Sequence, residues 1–208
     1  DEYAIHVDDN AFTNASAIEA LKNTIKAATT LNEPIDPKWK EVSEKLVIHR
    51  ENGITQNYKG YKGQTIKQAD VNLLAYPLHI ITDKTQIKND LDYYTDKIDK
   101  KNGPAMSYGV LSISHSRLGD SDKAYDLFVK SYLPNSRPPF GVFSESAKSN
   151  NPYFATGAGA MLQAVIYGFG GVELTDEGFK YNKGILPKKW KSLKIIGLGT
   201  DNKTIMVQ

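Results

Sequence analysis

The apolar rhythm of the chain changes once, at about Gly168, and that change limits the folds open to it. Before this point apolar residues recur at helical spacing, and beyond it they alternate. "ASAIEALKNTIKAATTL" sets Ile18, Leu21, Ile25 and Ala28 on one stripe. "DPKWKEVSEKLVI" offers Asp36 as a cap and Pro37 in the first turn of a second helix. "IHRENGITQNYKGYKGQ" reads as two short strands or a loop. "KQADVNLLAYPLHII" reads as a helix as far as Pro77. "KNDLDYYTDKI", "PAMSYGVLSISHSRLG" and "DSDKAYDLFVKSYL" are further helices, the last two meeting at a Leu118-Gly119-Asp120 stop and cap. "NPYFATGAGAMLQAVIYGF" is an apolar helix whose small residues permit close packing. The remaining residues carry Asp-Glu-Gly, Leu-Pro and Thr-Asp-Asn turns between short runs and predict three or four antiparallel strands. The expected organisation is mostly α: helices over 1–168, paired as a bundle or as part of an α/α toroid, then a β-strand segment over 169–208.

Charge and composition narrow the partners. Of 208 residues, 26 are basic and 24 acidic, a net charge of +2 that gives nucleic acid or an anionic membrane little to attract. No apolar run reaches the roughly 18 residues of a membrane span. There is no cysteine, so disulfides and thiolate metal sites are excluded. Two glycosylation triplets occur, Asn14-Ala15-Ser16 and Asn202-Lys203-Thr204.

Most catalytic signatures are missing. His6, His49, His79 and His115 lack metal-ligand spacing, so no metal is expected. There is no phosphate-binding glycine loop, and no cofactor is expected. "GFGG" at 168–171 marks a helix-to-strand junction, and "GVFSES" is no hydrolase elbow. Carboxylates are what remain. Glu2 stands ahead of Asp8-Asp9-Asn10, and Glu145 lies in "RPPFGVFSESAK", within a long loop from Pro134 to Asn151. Long ordered loops often carry function, and aromatic side chains around an acid can stack on a sugar or raise its pKa. Without further context both glutamates read as solvated surface charges.

Four blocks, in order, add that context. They are Asp1-Glu2-Tyr3 with Asp8-Asp9-Asn10 and Phe12-Thr13-Asn14; "KQADVNLLAYPL" from Lys67 to Leu78; "FATGAGAMLQAVIYGFGG" from Phe154 to Gly171; and "LPKKWKSLKI" from Leu186 to Ile195. Together they cover nearly the whole chain, which resembles glycoside hydrolase family 65 in its acid-trehalase-like hydrolase branch. The resemblance implies that 1–168 is the second half of an (α/α)6 catalytic barrel and that 169–208 begins a C-terminal β segment. It implies that the chain starts inside an active-site motif. The N-terminal half of the same enzyme would then be a partner, as a separate chain or as a part removed.

The resemblance makes Glu2 the general acid. Phosphorylases of the family carry His where this chain has Ala4, and a serine-rich segment that Ser107 and Ser112 only partly imitate. Hydrolase members place a glutamate after Pro-Phe, as in Pro139-Phe140 ahead of Glu145. Water needs a base and phosphate does not, so Glu145 is the expected general base. Lys67 and Gln68 match the family pair that binds glucosyl hydroxyls. The implied activity is inverting hydrolysis of trehalose or a related α-glucoside, with the two carboxyls roughly 6.5–9.5 Å apart and Glu2 partly desolvated. The alternatives are a family disaccharide phosphorylase and a non-catalytic sugar-binding or storage protein on the enzyme fold. The expected compartment is secreted or vacuolar/lysosomal. The expected core includes Tyr76, Tyr93, Tyr94 and Phe128, with Thr156 and Gly157 serving packing.

Overall fold

A computed structural model describes residues 2–208. Asp1 of the Asp-Glu-Tyr motif lies outside the described residues. Two compact units divide the chain, Asp1–Lys97 and Ile98–Gln208.

In the first unit, helix α1 (Ala11–Leu31) and helix α2 (Pro37–Lys45) pack together. Asn10 caps α1 by accepting from the Thr13 N–H at 2.9 Å, and Ala11, Ala15, Ile18 and Ala28 are buried along one face. Asp36 caps α2 with Pro37 in its first turn, as the sequence predicts. Strands β1 (Arg50–Glu51) and β2 (Ile54–Thr55) form a hairpin. Its Asn52-Gly53 turn has positive φ at both positions, the geometry that Asn-Gly supplies most readily. Helix α3 (Lys84–Thr95) supports the hairpin from below. Asp90 Oδ1 accepts from the Thr55 N–H at 2.8 Å, and the Tyr94 hydroxyl donates to Thr55 O at 2.7 Å. Burial pushes the Tyr94 phenol well above its ordinary value, and does the same to Tyr61, whose ring stacks on it.

The predicted helix through "KQADVNLLAYPL" does not form. This stretch makes one 3-10 turn, Val71–Leu74. Ala69, Asp70, Val71, Asn72, Leu74 and Tyr76 are buried, while Leu73, Ala75 and Leu78 are half-buried and Pro77 is exposed. Consecutive residues 69–72 are all buried, which an amphipathic helical stripe does not give.

In the second unit, α4 (Ala105–Leu118) is central. It packs on α5 (Ser121–Tyr132) and α6 (Ala155–Gln163), the latter continuing into a π-helical segment, Ala164–Phe169. Gly119 ends α4 in the left-handed region, and Asp120 caps α5 by accepting from the Lys123 N–H. A Cβ at Gly109 would sit 2.9 Å from the Ala160 Cβ, so glycine is what lets α4 and α6 approach. Phe128, Phe169 and Trp190 pack edge-to-face or tilted against one another beside Tyr125, tying the segment after Gly168 to the helices. That segment holds four strands in two separate antiparallel hairpins. Strands β5 (Val172–Thr175) and β6 (Gly178–Tyr181) form one, and β7 (Leu193–Leu198) and β8 (Lys203–Val207) the other. Between Pro134 and Asn151, strands β3 (Ser136–Arg137) and β4 (Val142–Phe143) pair, so the expected irregular loop contains a hairpin.

Candidate active site

The first unit brings two of the sequence candidates together. Lys67 Nζ lies 2.6 Å from Glu2 Oε2. The pair is asymmetric: the Lys67 side chain is 19% exposed and that of Glu2 is 61% exposed. Lys67 is held by its neighbours. The Ile66 side chain is buried and its N–H donates to Lys97 O at 2.9 Å, while Ala69 and Asp70 are buried just beyond. Gln68 is half-buried, and its Oε1 is a buried acceptor with no hydrogen-bond partner. A buried, unpaired amide oxygen costs about 1–3 kcal/mol unless a ligand or water satisfies it. Glu2 is not the desolvated acid expected from the sequence, because the residues packed around it here leave most of its side chain in solvent.

Asp70 is a functional candidate that the sequence analysis does not single out. It is buried, burial pushes its carboxyl above the ordinary carboxylate range, and the charge of nearby Glu2 raises it further. The signal available beforehand was its place between the Lys67-Gln68 pair and a fully apolar run.

The Asp/Asn-rich patch after Glu2 has a structural explanation. Asn10 caps α1 and also donates from Nδ2 to Asn57 Oδ1 at 3.1 Å and to Asn57 O at 3.2 Å. Asp9 Oδ2 lies 2.8 Å from His49 Nε2, and that hydrogen bond holds the Asp9 carboxyl below its ordinary value. Asn14 donates to Val47 O at 2.8 Å. The patch therefore fastens the chain that carries Glu2 onto the start of α1.

In the second unit Glu145 is half-buried just after β4. Its carbonyl accepts from the Ala105 N–H, the first residue of α4, at 3.0 Å. Asn135 Nδ2 donates to both Ser144 O and Glu145 O, at 3.0 and 3.1 Å. Ser112, one of the two serines that partly imitate a phosphate-binding segment, is fully buried and donates its hydroxyl to Ala124 O at 2.8 Å. Gly157 is a packing residue, since a Cβ there would lie 2.9 Å from the Phe154 ring. Two cavities of about 280 and 440 Å³ open at the helix-to-strand junction, both lined by Tyr167 and Val172 and the smaller also by Arg117, and Glu145 lines neither. Among the described residues no three His, Asp or Glu side chains converge in a metal-binding arrangement. Among the described residues no helix is long and apolar enough to cross a membrane.

No family profile matches the chain. Individual proteins do. A kojibiose hydrolase of Flavobacterium johnsoniae is 48% identical over 209 aligned positions, covering 100% of this chain and 31% of that protein. A periplasmic/secreted acid trehalase of Candida glabrata is 38% identical, covering 94% of this chain and 17% of its own length. A solved kojibiose phosphorylase structure from the human microbiome superposes with a TM-score of 0.78 over 99% of this chain and 33% of that one, at 17% identity, a likeness of fold. The chain thus spans about a third or less of the length of these relatives.

Proposed function

The chain belongs to glycoside hydrolase family 65, and from that membership we propose that it is the C-terminal part of an inverting hydrolase acting on trehalose, kojibiose or a related α-glucoside. The observation that carries this reading is the 2.6 Å contact of Lys67 with Glu2, beside the unsatisfied buried oxygen of Gln68. A proton donor thus stands next to two groups suited to sugar hydroxyls, an ammonium that donates and an amide that does both.

In this mechanism Glu2 is the general acid and gives its proton to the glycosidic oxygen. The bond from that oxygen to the anomeric carbon breaks, with its electron pair leaving on the oxygen. Glu145 takes a proton from water, whose oxygen bonds to the anomeric carbon from the opposite side. One displacement inverts the centre, so an α-glucoside yields β-glucose. Lys67 and Gln68 bind the glucosyl hydroxyls. Asp70, buried beside them, helps to set the electrostatics around Glu2.

Residues 1–168 form the second half of an (α/α)6 barrel, and 169–208 begin a C-terminal β region. The rest of a longer polypeptide, or a separate chain, supplies the first half, covers Glu2 and selects the leaving-group sugar. The compartment is secreted or vacuolar/lysosomal. The hydrolase reading is favoured over a phosphorylase because Ala4 replaces the phosphorylase histidine and the Ser112 hydroxyl is committed to Ala124.

The test follows the anomer released by the complete enzyme, using NMR during the first turnovers. From α-glucosyl fluoride, whose leaving group is not a sugar, β-glucose should appear first, without phosphate, and Glu145→Gln should abolish its release while glucoside still binds. Glu2→Gln should retain more activity on α-glucosyl fluoride than on a disaccharide, since fluoride leaves with little protonation. Formation of α-glucose from α-glucosyl fluoride, or a strict requirement for phosphate, would refute the reading.

A further inference from the structure

We propose that Arg137 and Asn135 are positioning residues for Glu145: together they clamp the backbone that carries the catalytic base. The inference rests on the assignment of Glu145 as that base. Among the described residues the Arg137 guanidinium donates to main-chain carbonyls alone. Nη1 donates to Pro134 O at 2.8 Å and to Ser136 O at 3.2 Å. Nη2 donates to Ser146 O at 3.4 Å, Ala147 O at 2.8 Å and Ser149 O at 3.1 Å. One guanidinium therefore ties the strand entering the hairpin to the turn that follows Glu145.

Asn135 works from the other side. It is 3% exposed, its Nδ2 spans Ser144 O and Glu145 O, and its own carbonyl receives the Ser144 N–H at 2.9 Å and the Ser144 hydroxyl at 3.1 Å. The same Ser144 hydroxyl reaches Ser146 O at 2.9 Å. Main-chain groups of residues 144, 145, 146, 147 and 149 are thus each held by one of two side chains drawn from 135 and 137.

This arrangement suits a base more than a general fold support. Among the described residues Arg137 forms no ion pair, so its charge is spent on carbonyl dipoles around one loop. Its planar fork with five N–H donors can serve several carbonyls in fixed directions, which an ammonium cannot. A general base for water must sit within hydrogen-bond reach of a molecule it does not otherwise bind, so an error of about 1 Å can cost 100-fold in rate. Substrate is held elsewhere, by Lys67 and Gln68 in the proposed mechanism.

The experiment uses the complete enzyme and four forms: wild type, Glu145→Ala, Arg137→Met and Arg137→Lys. Steady-state rates are measured on a disaccharide substrate. α-Glucosyl fluoride is then supplied with sodium azide, and glucosyl azide is sought by NMR. Azide needs no base: its nitrogen bonds to the anomeric carbon as the C–F bond breaks and fluoride leaves. Glu145→Ala should lose hydrolysis and form β-glucosyl azide. Arg137→Met should lower kcat about 100-fold with KM within a few-fold, and should also form the azide. Arg137→Lys keeps the charge but not the fork, so it should show the same pattern and serves if the methionine variant does not fold. A merely destabilised enzyme would retain a wild-type fraction and give no azide product. Wild-type kcat in both Arg137 variants, or a fall in kcat without azide product, overturns the clamp. Undiminished hydrolysis by Glu145→Ala overturns the base assignment instead, whatever the Arg137 variants do.

Discussion

Replacing Lys67 by methionine separates stability from recognition at the proposed sugar site. Methionine keeps most of the apolar stem and removes the ammonium. The ion pair with Glu2 is 2.6 Å long, but the glutamate half is 61% exposed, so its worth to folding is that of a surface pair, about 0–1 kcal/mol. The corresponding change in melting temperature is at most about 2–4 °C for a domain of this size. Binding should suffer far more. A hydrogen bond from a charged donor to a substrate hydroxyl contributes about 1.5–3 kcal/mol. At 1.4 kcal/mol per tenfold, Lys67→Met should lower kcat/KM by roughly 10- to 150-fold. The assay is initial-rate glucose release by the complete enzyme over a range of disaccharide concentrations, with a thermal melt of each preparation. A kcat/KM within threefold of wild type refutes the reasoning. So does a melting temperature that falls by 10 °C or more, which would mean that Lys67 acts through the fold.

Three other outcomes follow from the same coordinates. Gly171 has φ +67°, and a Cβ there would lie 2.1 Å from Asn182 O; Gly171→Ala should therefore destabilise the second unit by about 2–4 kcal/mol, read as an earlier denaturant midpoint. Asp90 is buried and its folded pKa is raised above 3.8, so the native state holds its proton more tightly and Asp90 costs stability as pH climbs through that window; Asp90→Asn should gain on wild type from pH 4 to 7 in urea midpoint, and a loss would contradict the assignment. Of the two sequons, Asn14 spends its amide on Val47 O within α1, whereas Asn202 is exposed in the β7–β8 turn; expression through a eukaryotic secretory route should put a glycan on Asn202 alone, as peptide mass spectrometry would show.

Helix boundaries were legible wherever a local signal sets them. Asp36 with Pro37 and Gly119 with Asp120 act through their own backbone and their nearest neighbours, so the residues alone announce them. The stretch from Lys67 to Leu78 departs from the expected helix because four consecutive residues, Ala69 to Asn72, are buried by the rest of the fold, and periodicity carries no information about that. The Lys67-Gln68 pair was legible as a resemblance, but its contact with Glu2 crosses 65 positions and needed the fold. Arg137 could not be singled out at all. Its partners are main-chain carbonyls, which every residue has, and only the folded hairpin gathers those of 134, 136, 146, 147 and 149 around one guanidinium.

The two separate hairpins at 172–207 bear on the order of assembly during translation. Each two-stranded sheet has open edges, with Leu174, Ile196 and Met206 facing solvent, and open edges recruit other chains. Translation runs from the N-terminus, so α5 and the segment ending at Phe169 leave the ribosome before either hairpin is complete. Phe128 and Phe169 are then already available when Trp190 emerges between β6 and β7, and its docking would draw both hairpins onto helices that precede them. Trp190→Ala should therefore increase the share of newly made chains that aggregate more than it lowers the melting temperature of those that mature. Equal effects on both would place the tryptophan's contribution in the finished structure alone.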